Sequence, residues 1–143
     1  MKIRTSFVTN SSSSSFIIAY KTHQSIDEET LKKYPFLKNY DRLLEKILLT
    51  EGYNETTAGD IFRNKEEYNQ YFIEKYGWRN KNTVEKILED DDYLQDTYNK
   101  VTAYLEEGFN VLCKYIDYCD TYCLELFREL EQGNDSFIIL EEE

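Results

Sequence analysis

Three cysteines and one histidine are the residues whose types suit a metal: Cys113, Cys119, Cys123 and His23. Cys119 and Cys123 stand four apart, which puts both on one face of a helix. No C-x-x-C pair accompanies them, and His23 would have to reach in from far up the chain. A structural zinc site normally draws its thiolates from close pairs. Core packing is the better reading, because Cys is among the most buried residue types. Asp90, Asp91 and Asp92 lack the spacing and the glycine of a calcium loop. Neither a metal nor a cofactor is expected.

Nucleophilic chemistry needs an oriented base and an oxyanion site beside the nucleophile. Serines are plentiful, but His23 is the only histidine and no G-x-S-x-G elbow occurs. The residues therefore read as non-enzymatic. The run Asn10, Ser11, Ser12, Ser13, Ser14 and Ser15 offers hydroxyls and backbone amides to an anion. Phosphate-cradling nests usually need glycine for close approach, and none precedes Gly52. This loop supports the alternative function, binding of a small ligand or nucleotide.

Charge gives the stronger signal. Residues 1–81 hold 13 basic and 11 acidic side chains, whereas residues 82–143 hold 4 and 17. Such an acidic half repels nucleic-acid phosphates, so direct nucleic-acid binding is not expected. Glu89, Asp90, Asp91, Asp92, Asp96, Glu106, Glu107 and the terminal Glu141, Glu142 and Glu143 mark an acidic face, with Tyr93, Tyr98 and Tyr104 interleaved. Carboxylates with tyrosine anchors suit the basic surface of a protein partner, because complementary fields speed encounter and Tyr supplies buried area. That surface could be one that otherwise holds DNA or RNA. The oligomeric state is not legible.

These residues must be positioned by a fold. At 143 residues, one domain over 1–143 is expected, long enough to bury a core. An odd, low cysteine count without a secretory signal points to a reducing cytoplasm. No apolar run is long enough for a transmembrane helix, so no membrane is expected. The apolar, β-branched and aromatic run at 16–20 predicts a buried strand, and a shorter strand is expected over 3–8. Ser25 with Glu28 predicts a capping box and a helix over 26–33. Pro35 then opens a helix with Leu37, Tyr40, Leu44, Ile47 and Leu48 on one face. Asp60 is expected to cap a helix carrying Phe62, Tyr68, Phe72 and Tyr76, ended by Gly77.

Asn82 with Glu85 begins a long helix with Val84, Ile87, Leu94, Tyr98, Val101 and Leu105 on one stripe. Glu89, Asp90, Asp91 and Asp92 interrupt that stripe. Four carboxylates within one turn repel, which predicts a kink or break near 90–92. Residues 109–118 read as a strand, then Asp117 or Asp120 caps a helix with Cys123, Leu126, Phe127 and Leu130, stopped by Gly133. Residues 137–140 read as a further strand. Strand, helix, strand predicts a βαβ unit with parallel strands. The fold class is α+β, with a small sheet built from N-terminal and C-terminal strands and a helical middle.

The opening Phe7, Val8, Thr9, Asn10, the serines 11–15 and Phe16 resemble an N-terminal signature of small bacterial and phage proteins. The match covers about the first 18 residues and carries over no catalytic residue. It implies a phage or mobile-element origin. By class analogy, small acidic phage proteins include inhibitors of host defence of the anti-CRISPR kind.

Overall fold

The structure, a computed structural model, describes residues 13–21, 27–33, 35–39, 44, 46, 48–132 and 135–142. Among them the class is α+β, as expected, with a four-stranded antiparallel sheet between helical layers. The strands are β1 (Ser13–Tyr20), β2 (Asp60–Phe62), β3 (Asn110–Asp117) and β4 (Phe137–Glu142), in the order β2-β3-β1-β4.

β1 is central because its side chains are apolar on both faces. Phe16, Ile18, Ala19 and Tyr20 are all at most 1% exposed. The expected strand–helix–strand unit with parallel strands is present, and β1 is inserted between its two strands. β3 and β4 run in the same direction, but β1 lies between them and is antiparallel to each.

Successive strand residues face opposite sides of a sheet. Phe16, Ile18 and Tyr20 join Leu112, Ile116 and Phe137 under helix α5 (Thr121–Glu131) and the helical residues Leu44 and Leu48. Phe127 of α5 meets Phe16 edge to face, with centroids 5.6 Å apart. Ala19, Val111 and Phe62 face the other way, under α2 (Lys65–Tyr76), α3 (Val84–Leu88) and α4 (Asp92–Glu106). In that second core Phe72 meets Tyr68 tilted and Tyr98 edge to face. Burial of each such ring contributes about 2 kcal/mol.

Capping residues fix the helix limits. α1 (Glu28–Lys33) begins at Glu28, where Asp27 accepts from the Thr30 amide at 2.8 Å, so the helix is shorter than expected. Pro35 opens a 3-10 helix, Pro35–Asn39. Asp60 is no cap: it starts β2, and Asn64 caps α2 by accepting from the Glu67 amide. Phe62 therefore packs from a strand. Thr83, not Asn82, caps α3. The expected break occurs between α3 and α4, where Asp91 is extended and caps α4. Asp120 caps α5 through the Cys123 amide. Gly108 takes φ +93 after α4, a left-handed turn that a side chain resists.

Several expectations fall outside the described residues: the strand over 3–8, the Ser25 cap, Tyr40, Ile47 and Gly133. No helix among the described residues is long and apolar enough to cross a membrane.

Candidate functional site

The end of β4 reaches both helical layers at once, because neighbouring strand residues alternate in direction. Glu141 turns toward α4, where the Tyr93 hydroxyl donates to Oε1 and the Thr97 hydroxyl donates to Oε2 at 2.5 Å. Glu142 turns toward α5, where one Arg128 nitrogen donates to both its carboxylate oxygens at 2.6 and 2.8 Å. Between these walls runs a groove of about 520 Å³. Asp96, Glu131, Glu141 and Glu142 line it, with Lys100 and Arg128 as its cations. Lys100 pairs with Asp96 at 3.1 Å and Arg128 with Glu142. Glu131 and Glu141 have no cation partner among the described residues, so the groove keeps a negative field.

The acidic residues singled out from the sequence separate into two places. Asp92, Tyr93 and Asp96 lie at the start of α4; Tyr93 and Asp96 line the groove, and Asp92 is the exposed residue just before them. Glu106 and Glu107 lie at the far end of α4, about 21 Å along its axis. Glu106 pairs there with Lys65 at 3.5 Å. Glu89 follows α3, and Asp90 pairs with Lys81 at 3.5 Å. Asp91 is occupied as the α4 cap. The acidic face expected from the sequence groups Glu141 and Glu142 with Tyr93 and Asp96 but leaves out Glu131; the bonds of Glu141 to α4 and of Glu142 to α5 bring the two helices to one groove.

The serine run needs correction. Ser13, Ser14 and Ser15 belong to β1 rather than to a loop, paired with Asp117, Ile116 and Tyr115. Strand pairing extends this far because β3 continues to Asp117. Ser14 is 1% exposed. Asn10, Ser11 and Ser12 lie outside the described residues, as does His23.

One residue escapes the sequence reading entirely. Lys114 sits between Leu112 and Ile116 on the core-facing row of β3 and is 2% exposed. Its ammonium donates to the carbonyls of Leu48 (3.2 Å), Thr50 (3.1 Å) and Thr57. Burial pulls the ammonium below its ordinary value, and the three carbonyl dipoles oppose that loss. Asp120 and Asp117 add to the anchor by accepting from the amides of Tyr53 (3.0 Å) and Glu55 (3.4 Å). Together they hold the loop 50–59 against β3. A cavity of about 400 Å³ lies here, rimmed by Tyr53 and Tyr122. The alternation of β3 is the signal that points to Lys114.

The cysteines do not converge. Cys123 packs in the core under α5, Cys113 against the opposite core, and Cys119 is exposed. Burial pushes the Cys113 thiol up to about 12 and the Cys123 thiol to about 11. Both are thus held as unreactive thiols at neutral pH. Beside Cys113, Lys75 donates to the Tyr71 hydroxyl at 3.1 Å. Burial pushes that hydroxyl up to about 12. No group of three metal-ligating side chains comes together among the described residues.

No family model, no curated protein and no solved structure matches this chain.

Proposed function

We propose that the chain is a non-enzymatic, acidic interaction protein that binds the basic surface of a protein partner through the β4–α4 groove. The single observation behind this reading is the groove itself. It gathers Asp96, Glu131, Glu141 and Glu142 around two cations. The exposed ring of Tyr93 stands at its rim, 48% exposed. Carboxylates in a cleft focus the field and raise the local concentration of a cationic partner. The 17 acidic side chains of residues 82–143 extend that field over the surrounding surface.

A basic patch that normally holds nucleic acid presents the complementary charge. Occupying such a patch on a host protein would make this chain an inhibitor, in keeping with the phage-type N-terminal signature. Its three free thiols suit a reducing cytoplasm.

Titration of the isotopically labelled protein with an oligolysine peptide, followed residue by residue by NMR, tests this reading. Shifts concentrated at Asp92, Asp96, Glu131 and Glu141, fading as salt is added, are expected. Shifts scattered over the whole acidic surface, or absent, contradict it.

A further inference from the structure

Among the described residues β4 is the longer outer strand of the sheet, six residues against three for β2. The hydrogen-bond phase of its backbone follows from one bond. The Lys21 amide donates to the Ser136 carbonyl at 2.9 Å. Tyr20↔Phe137, Ala19↔Ile138 and Ile18↔Ile139 continue the same register. Bonded and unbonded pairs alternate along an antiparallel ladder. Ile138 therefore bonds Ala19, and the N–H and C=O of Phe137 and Ile139 point away from β1. Phe137 is fully buried. Ile139, which also lines the groove, is the reachable position.

Outer strands are normally guarded by charge, proline or short length. β4 has neither charge nor proline before Glu141: its sequence there is Phe137, Ile138, Ile139, Leu140. The register shift between Ile17 and Ile18 leaves Leu140 as an extra residue, which bends the strand just beyond Ile139. An apolar edge at the floor of an acidic groove is suited to an extended chain bearing cations.

We propose that β4 receives an extended, Lys- or Arg-containing segment of the partner as an added strand, with Ile139 supplying the first backbone bonds. This rests on the acidic-groove reading and names its mode of recognition. Strand addition draws affinity from main-chain bonds and specificity from alternate side chains. Successive side chains of the added strand would face opposite walls, so cations directed toward α5 would meet Glu131 and cations directed toward α4 would meet Glu141. A second copy is the poorer occupant, because it would bring its own acidic half against this one.

The probe is a synthetic peptide alternating Lys with Val or Thr, compared with the same peptide N-methylated at alternate residues in each of the two phases. Binding is read by fluorescence anisotropy over a salt series. The unmethylated peptide is expected to bind in a salt-dependent way. One methylated phase should weaken it at least tenfold, while the other changes it little. Ile139→Pro is expected to keep the fold, because an outward N–H is the position an edge strand can give up to proline. It should lose the peptide.

Equal binding of all three peptides would overturn strand addition and leave the acidic-groove reading standing. Failure of every peptide to bind would overturn both. A dimer seen by sedimentation that dissociates in Ile139→Pro would replace the basic segment with a second copy.

Discussion

Arg128 and Glu142 are joined by one guanidinium nitrogen shared between two carboxylate oxygens, at 2.6 and 2.8 Å. This bond ties α5 to the end of β4, as Tyr93 and Thr97 tie α4 to Glu141. Arg128 is half exposed, so the pair contributes less than about 1 kcal/mol. Arg128→Ala is expected to lower the melting temperature only slightly in dilute buffer. The difference should vanish near 1 M salt, where the screening length is about 3 Å. Calorimetric melts at the two salt levels check this.

Lys114 should matter far more. Lys114→Met keeps the aliphatic stem but removes the ammonium, leaving the carbonyls of Leu48, Thr50 and Thr57 without their donor. Breaking a buried polar cluster from one side costs about 3 kcal/mol. Urea denaturation is the measurement. Hydrogen exchange should also speed up across the loop 50–59.

Helix caps and periodic stripes make much of the fold legible in the sequence alone. Leu94, Tyr98, Val101 and Leu105 mark α4, and the crowded acids mark its beginning. The departures come from strand pairing. β2 is only Asp60–Phe62, too short to show a period against the helix that follows. The insertion of β1 between β3 and β4 is a long-range choice that no local spacing encodes. The groove depends on the same choice, since it unites residues from 93 to 142. Lys114 stays hidden because an isolated lysine in a mixed sequence reads as solvent-facing until the strand register is known.

Alkali should weaken the fold through its buried thiols and phenols. Burial raises Cys113 to about 12 and Cys123 to about 11 from an ordinary value of 9.0, and Tyr71 to about 12 from 10.0. A raised folded-state value means that the folded form holds the proton longer. That contribution to stability is complete below pH 9 and is lost as pH rises through about 12. Lys114, whose value is lowered, runs the other way, but Tyr68, Tyr76, Tyr98 and Lys75 are also raised and act with the first three. Stability measured in denaturant should fall steadily above pH 9, and Cys113→Ala should flatten the slope.

Asp91 separates structure from binding within the acidic run. It caps α4 through the Leu94 amide at 3.0 Å. Asp91→Ala should cost about 1 kcal/mol of stability. Asp92→Asn, at an exposed neighbour, should leave stability almost unchanged. Denaturant titrations of the two variants side by side check the contrast.

The central claim is that carboxylates at the groove attract a basic partner. Its most direct measurement is the affinity of an oligolysine peptide for the wild type and for a variant carrying Asp92→Asn, Asp96→Asn and Glu131→Gln. Calorimetry over a salt series gives both affinity and salt slope. The expected result is at least a tenfold loss in dilute salt with a shallower slope, while Glu106→Gln with Glu107→Gln at the far end of α4 changes little. Unchanged affinity and slope in the groove variant would contradict the claim.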